Sequence, residues 1–250
     1  MLVLVHTEEL VKQSLEKLRY FNRGIRIGIE KADQEASRGD GIVIGSVATL
    51  GRKSSCRLAP YHPADFGVIV CDEAHHAVAD SYVRVFEHFG LLESANRLLL
   101  FGVTATPYRR DGDQLRSVFQ ESVFHMPISS AIEQGWLCDL RAYRVRSSVS
   151  LDQVEVNSID FNIKQLENAV NTSARNDLVV RSWYQHAGRR QTIVFCVDIQ
   201  HANDLASTFR REGVSAEAVW GVDPNRSAKI KRHKDGEIKV LINCSVLTEG

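Results

Sequence analysis

The chain has 250 residues, with 31 Lys plus Arg against 31 Asp plus Glu, so its formal net charge is zero. A neutral balance excludes the general basic character that alone would point to nucleic acid, and any such case must come from local sites. Hydrophobic residues make up 44% and charged residues 25%, as in an ordinary soluble globular protein, and no apolar run approaches the roughly 18 residues of a membrane span.

The opening "MLVLVHTEEL" has no basic leader, and its apolar part is too short for a signal core. It reads as an internal strand, Leu2 to Val5, followed by a helix from Glu8 to Tyr20 with Leu10, Val11, Leu15 and Leu18 on one face. Ile25 to Ile29, Ile42 to Gly45, Val68 to Cys71 and Leu98 to Val103 are further strands. Their near-continuous apolar character predicts burial on both faces and a parallel sheet. Ile128 to Gln134 reads as a short helix ended by Gly135, Leu140 to Val145 as a strand, and residues 147–162 as a polar loop. The rhythm then resumes: helices at Asn176–His186, His201–Arg211 and Arg226–Lys234 alternate with strands at Thr192–Val197, Ala216–Trp220 and Lys239–Asn243.

This pattern predicts an α/β protein of two lobes. The first covers residues 1–127, an irregular segment covers 128–175, and the second lobe covers 176–250. Chemistry in such lobes sits at strand carboxyl ends and in the crevice between them. The five cysteines (Cys56, Cys71, Cys138, Cys196 and Cys244) are odd in number and contain no Cys-x-x-Cys pair. Free thiols in a reducing compartment fit them better than a disulfide framework.

Two stretches carry chemistry. In "FGVIVCDEAHHAVADSY" an apolar strand delivers Asp72 and Glu73 to its tip. One carboxylate can hold Mg²⁺ through water, and the second can polarise an attacking water. The bland alternative is that both carboxylates cap the next helix. A metal site from His75 and His76 is disfavoured, because neighbours on a helix point apart and no third His or Cys stands at ligand spacing. In "LLLFGVTATPYRRDG" a strand ends in Thr104 and Thr106, whose hydroxyls point the same way from extended backbone, and Arg109 and Arg110 follow.

Asp72-Glu73-Ala74-His75 and Thr104-Ala105-Thr106 resemble motifs II and III of superfamily 2 DEAD/DEAH-box helicases. In matching order, Leu2 to Leu10 resembles motif Ia, Gly45 to Leu50 motif Ib, Ile193 to Val197 motif IV, and Val246 to Gly250 the opening of motif V. "DEAHHAVADSY", "GVTATPYRRDG" and "NCSVLTEG" look most like fungal mitochondrial helicases of the increased-recombination-centre type. The resemblance implies two RecA-like lobes of a P-loop NTPase core, with ATP and Mg²⁺ as cofactors and DNA or RNA as partner, inside the cell and in the mitochondrion, with nucleus or cytoplasm as alternatives. It implies that Asp72 holds Mg²⁺ through water, that Glu73 orients the hydrolytic water, and that His75 links the nucleotide to Thr104 and Thr106. It further implies backbone contacts to nucleic acid from Thr7, Ser46 and Thr49, and from Cys196, Val197 and Thr248. Arg52 and Lys53 either assist there or are solvated charges.

Such a helicase also needs a phosphate loop, G-x-x-x-x-G-K-[ST], whose backbone N–H groups cradle the phosphates. None of the 16 glycines is followed by Lys, and Gly51-Arg52-Lys53-Ser54-Ser55 has the wrong spacing and order. The resemblance places that loop before Met1, and motif VI after Gly250. The expectation is an internal stretch of a longer enzyme, inactive alone, with the Leu2 strand exposed as a sheet edge. Alternatives are a superfamily 2 translocase, such as a restriction-enzyme motor subunit, and an ATP-independent nucleic-acid-binding module.

Overall fold

A computed structural model describes residues 1–93, 98–106, 115–147, 154–156 and 162–247. The chain divides into two compact units, Met1–Leu137 and Cys138–Gly250.

In the first unit, β1 (Leu2–Val5) leads into α1 (Glu8–Phe21), whose start is set by Thr7: its hydroxyl oxygen accepts the Leu10 N–H at 3.2 Å. β2 (Ile27–Glu30), β3 (Ile42–Ser46) and the single turn α2 (Val47–Leu50) follow. Next come β4 (Val68–Cys71), α3 (Asp80–His88), β5 (Leu99–Gly102) and α4 (Ile128–Glu133). The strands form one parallel sheet in the order β2-β3-β1-β4-β5.

Alternation along β1 explains the layering. Leu2 and Leu4 enter a core with Ile69, Cys71, Phe86 and Phe89, on the α3 side. Val3 and Val5 enter another with Leu10 and Val11 of α1. Each fully buried side chain of this size contributes about 1.5–3 kcal/mol, so both faces are firmly covered. β1 is paired by β3 on one side and β4 on the other, so the expected Leu2 edge is not found. The sheet edges are β2 and β5 instead, because the chain inserts β1 between strands that follow it.

The second unit contains α5 (Ile163–Val170), α6 (Ser173–His186), β6 (Thr192–Phe195), α7 (Ile199–Arg211), β7 (Ala216–Trp220), α8 (Arg226–Lys234) and β8 (Val240–Cys244). Its parallel sheet has the order β6-β8-β7. Val180, Trp183, Leu205 and Phe209 from α6 and α7 pack on Ala216, Ala218, Val240 and Ile242. Helix starts lie earlier than the apolar pattern indicates, because polar caps set them. Thr172 caps α6 through the Arg175 N–H at 3.4 Å, and Asp198 caps α7 through the His201 N–H at 2.7 Å. The predicted strand at Leu140–Val145 does not form: the stretch has no strand partner among the described residues, and Leu140 and Tyr143 are exposed. Helix α5, to which the sequence reading assigns no element, begins where Asn162 accepts the Gln165 N–H at 3.2 Å.

Candidate active site

Parallel pairing brings the carboxyl ends of β1, β3, β4 and β5 to one edge of the first sheet. The chain leaves β4 there in a tight turn. The Asp72 N–H donates to Leu4 O at 3.0 Å, and the Ala74 N–H to Val103 O at 2.8 Å, so the turn is tied to the strands on both sides. Between them Glu73 lies in the left-handed region, at φ 47° and ψ 52°. That conformation costs a residue with a Cβ roughly 1–2 kcal/mol. The flanking bonds hold it, together with the Glu73 N–H donating to Asp72 Oδ1 at 3.0 Å.

A short 3-10 turn, Ala74–His76, then carries His75 into the protein, where it is 6% exposed. Its Nδ1 is the meeting point of the site. Thr104 Oγ1 lies 3.0 Å away, Thr106 Oγ1 3.3 Å and Glu73 Oε2 3.3 Å. An ionised carboxylate only accepts, so the Glu73 contact requires the proton on Nδ1; a hydroxyl can donate or accept. The Thr106 N–H donates to Thr104 Oγ1 at 3.1 Å, which fixes the spacing of the two hydroxyls. The structure therefore gathers Glu73, His75, Thr104 and Thr106 around one nitrogen atom. Asp72 stands beside them with Oδ2 unengaged among the described residues.

Close backbone approach makes this possible. A Cβ on Gly102 would lie 2.9 Å from Ala74 Cβ and 2.5 Å from Phe119 Cζ, so β5 can meet the turn only with glycine there. Cys71, just before the carboxylates, is an inert neighbour: burial, aided by the Asp72 charge, pushes its thiol up to about 12. The two histidines differ from the sequence reading, because the 3-10 turn leaves the His75 and His76 rings in contact, centroids 4.1 Å apart. His76 also lies 4.8 Å from the His6 ring. No cluster of three or more His, Cys, Asp or Glu side chains suited to a metal exists among the described residues.

At the matching edge of the second sheet, Asn243 is fully buried. Its Nδ2 donates to Val194 O at 3.0 Å, joining β8 to β6. Its Oδ1 accepts the Val246 N–H at 3.3 Å and the Leu247 N–H at 3.2 Å, shaping the loop that leaves β8.

The family described as "Type III restriction enzyme, res subunit" matches residues 1–109. Over 252 residues the chain is 32% identical to the Schizosaccharomyces pombe protein named as mitochondrial ATP-dependent helicase irc3, covering all of this chain and 41% of that protein. By sequence the chain is thus similar to a protein named as an ATP-dependent helicase. A second such relative, the Saccharomyces cerevisiae protein named as ATP-dependent helicase IRC3, is 30% identical over 255 residues, covering all of this chain and 36% of its own length. The chain thus spans about two fifths of the fungal relatives it matches. Among solved structures, the fragment of an HsdR subunit of a type I restriction enzyme from Vibrio vulnificus aligns with a TM-score of 0.67. That alignment covers 99% of this chain and 43% of the other at 18% identity, and it establishes the shared RecA-like fold.

The remaining residues singled out by the helicase resemblance have mixed surroundings. Thr7 spends its acceptor on the α1 cap, and Glu8 and Glu9 occupy the first turn beside it. Lys12 and Lys31 offset Glu8 at 3.3 and 3.2 Å. Ser46 is buried at the end of β3, and Thr49 Oγ1 accepts the Ala32 N–H at 2.9 Å. Gly45 and Ser46 close a strand and Val47–Leu50 form a helical turn; Arg52 and Lys53 are exposed after it. The Cys196 N–H is used by Asn243 O at 2.9 Å, and Val197 is half-buried just before the α7 cap. Arg109, Arg110 and Thr248 lie outside the described residues.

Asn243 and the Glu73 backbone escaped the sequence reading. "VLINCS" offers a weak signal for the first, a polar residue interrupting an apolar strand. Nothing in "DEAH" announces a left-handed glutamate.

Proposed function

We propose that this chain supplies the hydrolysis and coupling residues of an ATP-dependent helicase acting on DNA or RNA. The observation that carries the reading is the convergence of Glu73, Thr104 and Thr106 on His75 Nδ1. A carboxylate positioned for water sits, through one buried imidazole, in contact with hydroxyls on the neighbouring strand. A change in what Glu73 touches changes which oxygen receives the Nδ1 proton, and so reaches the Thr104–Thr106 segment. Glu73 is the base that orients water, His75 the relay, and Thr104 and Thr106 the coupling residues.

Mg²⁺ fits beside them. Asp72 has a carboxylate oxygen with no protein partner among the described residues, at a strand tip. A hard cation that keeps most of its waters needs little more from protein. Such an ion, bound with nucleotide, would supply charge neutralisation at the phosphates. Nucleic-acid contacts fall to Thr7, Ser46 and Thr49 in the first lobe, residues 1–127, and to Val197, Thr248 and the region of Cys196 in the second, residues 176–250. Small hydroxyl and backbone donors suit phosphate without reading sequence. The name of the S. pombe relative supports a mitochondrial setting.

These 250 residues contain no G-x-x-x-x-G-K-[ST] sequence, so the chain alone hydrolyses ATP negligibly. The test is a chimera in which it replaces the matching stretch of the S. pombe relative. Nucleic-acid-stimulated ATP hydrolysis is expected, lost in Glu73→Gln while nucleic-acid binding remains. Hydrolysis unaffected by Glu73→Gln and His75→Ala would overturn the assignment. The res-subunit match and the HsdR-like fold favour a second reading, a translocase that moves on duplex DNA without separating it. Triplex displacement without strand displacement by the same chimera would select it.

A further inference from the structure

A ladder hydrogen bond sets two cysteines side by side. Thr192 to Phe195 of β6 lie opposite Val240 to Asn243 of β8. Within this pairing, Thr192 lies opposite Val240 and donates its N–H to Lys239 O at 2.9 Å, the residue before its partner. The Cys196 N–H donates to Asn243 O at 2.9 Å by the same rule, which places Cys196 opposite Cys244. Neighbouring strands are about 4.7–4.9 Å apart, inside the Cα separation of about 4.4–6.8 Å that a disulfide spans.

Their side chains also share a face. Val194 and Ile242, two positions earlier, both pack in the core under α6 and α7, and alternation returns Cys196 and Cys244 to that side. Both thiols are free and half-buried. Both lie at strand ends, where Ser245 already turns away at φ 54°, so the chain there can draw the two sulfurs together more easily than mid-strand.

We propose that Cys196 and Cys244 form a reversible dithiol–disulfide site that joins the carboxyl ends of β6 and β8. The oxidant is a small disulfide of the glutathione type. One cysteine thiolate attacks a glutathione sulfur, releasing one glutathione thiol and leaving a mixed disulfide. The second attacks the protein sulfur of that mixed disulfide and releases the other glutathione. The two cysteines lose two electrons and two protons, and one glutathione disulfide becomes two glutathione thiols. The product ties the segment before α7 to the loop shaped by Asn243. This inference rests on strand register and stands apart from the functional reading above.

Burial, with the charges of Cys244 and Asp198 adding to it, pushes the Cys196 thiol up to about 12. Thiolate is therefore scarce at neutral pH, and closure is slow there and faster in alkaline buffer. The site is a thermodynamic trap for oxidant rather than a fast sensor.

The test uses the 250-residue chain carrying Cys56→Ser and Cys138→Ser, which removes the two exposed thiols. Three cysteines remain: Cys71, Cys196 and Cys244. After glutathione disulfide at mildly alkaline pH, alkylatable thiols under denaturing conditions should fall from three to one, with loss of two hydrogens. Peptide mapping should link Cys196 to Cys244, and dithiothreitol should reverse it. Phenylarsine oxide probes the unoxidised pair: it condenses with two adjacent thiols, losing one water, and should be retained at one per chain. A link through Cys71, stable mixed disulfides at separate sites, or no retention of the arsenical would overturn the proposal. The arsenical result needs no cysteine substitution at the site and so survives if Cys196→Ser or Cys244→Ser fails to fold.

Discussion

Replacing Asn243 by Leu keeps a side chain of four heavy atoms with the same branching and removes every hydrogen bond the side chain makes. Three are lost: the donor to Val194 O at 3.0 Å and the acceptors of the Val246 and Leu247 N–H groups at 3.3 and 3.2 Å. A typical bond contributes about 0.5–1.5 kcal/mol net, and a buried group left unpaired costs more, about 1–3 kcal/mol. Val246 and Leu247 are half-buried, so water can reach part of the loss, whereas the Asn243 position itself is 0% exposed. The net cost is therefore about 2–3 kcal/mol, the sum of three ordinary bonds with little cavity contribution. Urea unfolding followed by fluorescence reads it out, since Trp183 and Trp220 both contact the core of this unit. With a slope of about 1–1.5 kcal/mol/M for a unit of this size, the midpoint should fall by about 2 M. Amide exchange at Val246 and Leu247 should accelerate, while that of β7 follows only global stability. A midpoint shift below about 0.3 M, with both amides still protected, would refute the view that one asparagine organises this loop.

Glu30 is 3% exposed, and it is held by Arg57 through Nε at 2.6 Å and by the Tyr61 hydroxyl at 2.6 Å. Arg57→Met should cost about 3–5 kcal/mol, because it strands a buried charge, and Tyr61→Phe only about 1 kcal/mol; thermal denaturation of both variants compares them. A Cβ on Gly51 would lie 2.1 Å from Ser81 O, a backbone atom that cannot swing aside. Gly51→Ala should therefore cost at least about 1–3 kcal/mol in chemical unfolding, while Gly67→Ala, which meets nothing within 4 Å, should cost little. Burial lowers the pKa of His201, against the pull of Asp198 and Asp204. The folded state thus holds this ring neutral while the unfolded chain takes up a proton below about 6.5. Its contribution is complete above that pH and is lost as pH falls from there through the folded pKa. His201→Gln should flatten the decline in melting temperature on the acid side, and an unchanged pH profile would contradict the assignment.

How far the sequence carried this depended on whether the cause was local. The strands were legible because residues such as Leu2–Val5 and Val68–Cys71 are apolar runs that only two-sided burial explains. Helix starts were misread at Asn176 and His201, since the apolar stripe begins a turn after the polar caps Thr172 and Asp198. Strand order could not be read: whether β1 is edge or centre depends on partners 41 and 67 residues away, as in the pairs Leu2↔Val43 and Leu2↔Ile69.

The site shows the same division at atomic scale. Asp72, Glu73 and His75 were visible as a motif, and so were Thr104 and Thr106, but a motif states which groups are present and not what holds them. What holds them is backbone. Leu4 O and Val103 O fix the two sides of the turn, and Gly102 lets β5 come close enough to offer the second. None of these contributes a reactive group, and two of the three act through a carbonyl that any residue would carry. The strained Glu73 conformation follows from them: with Asp72 and Ala74 both tied to neighbouring strands, the residue between has little freedom left. A carboxylate on such a turn is pre-positioned relative to His75 before any ligand arrives. The roughly 1–2 kcal/mol stored in the left-handed turn is offset by sheet bonds that the fold makes in any case.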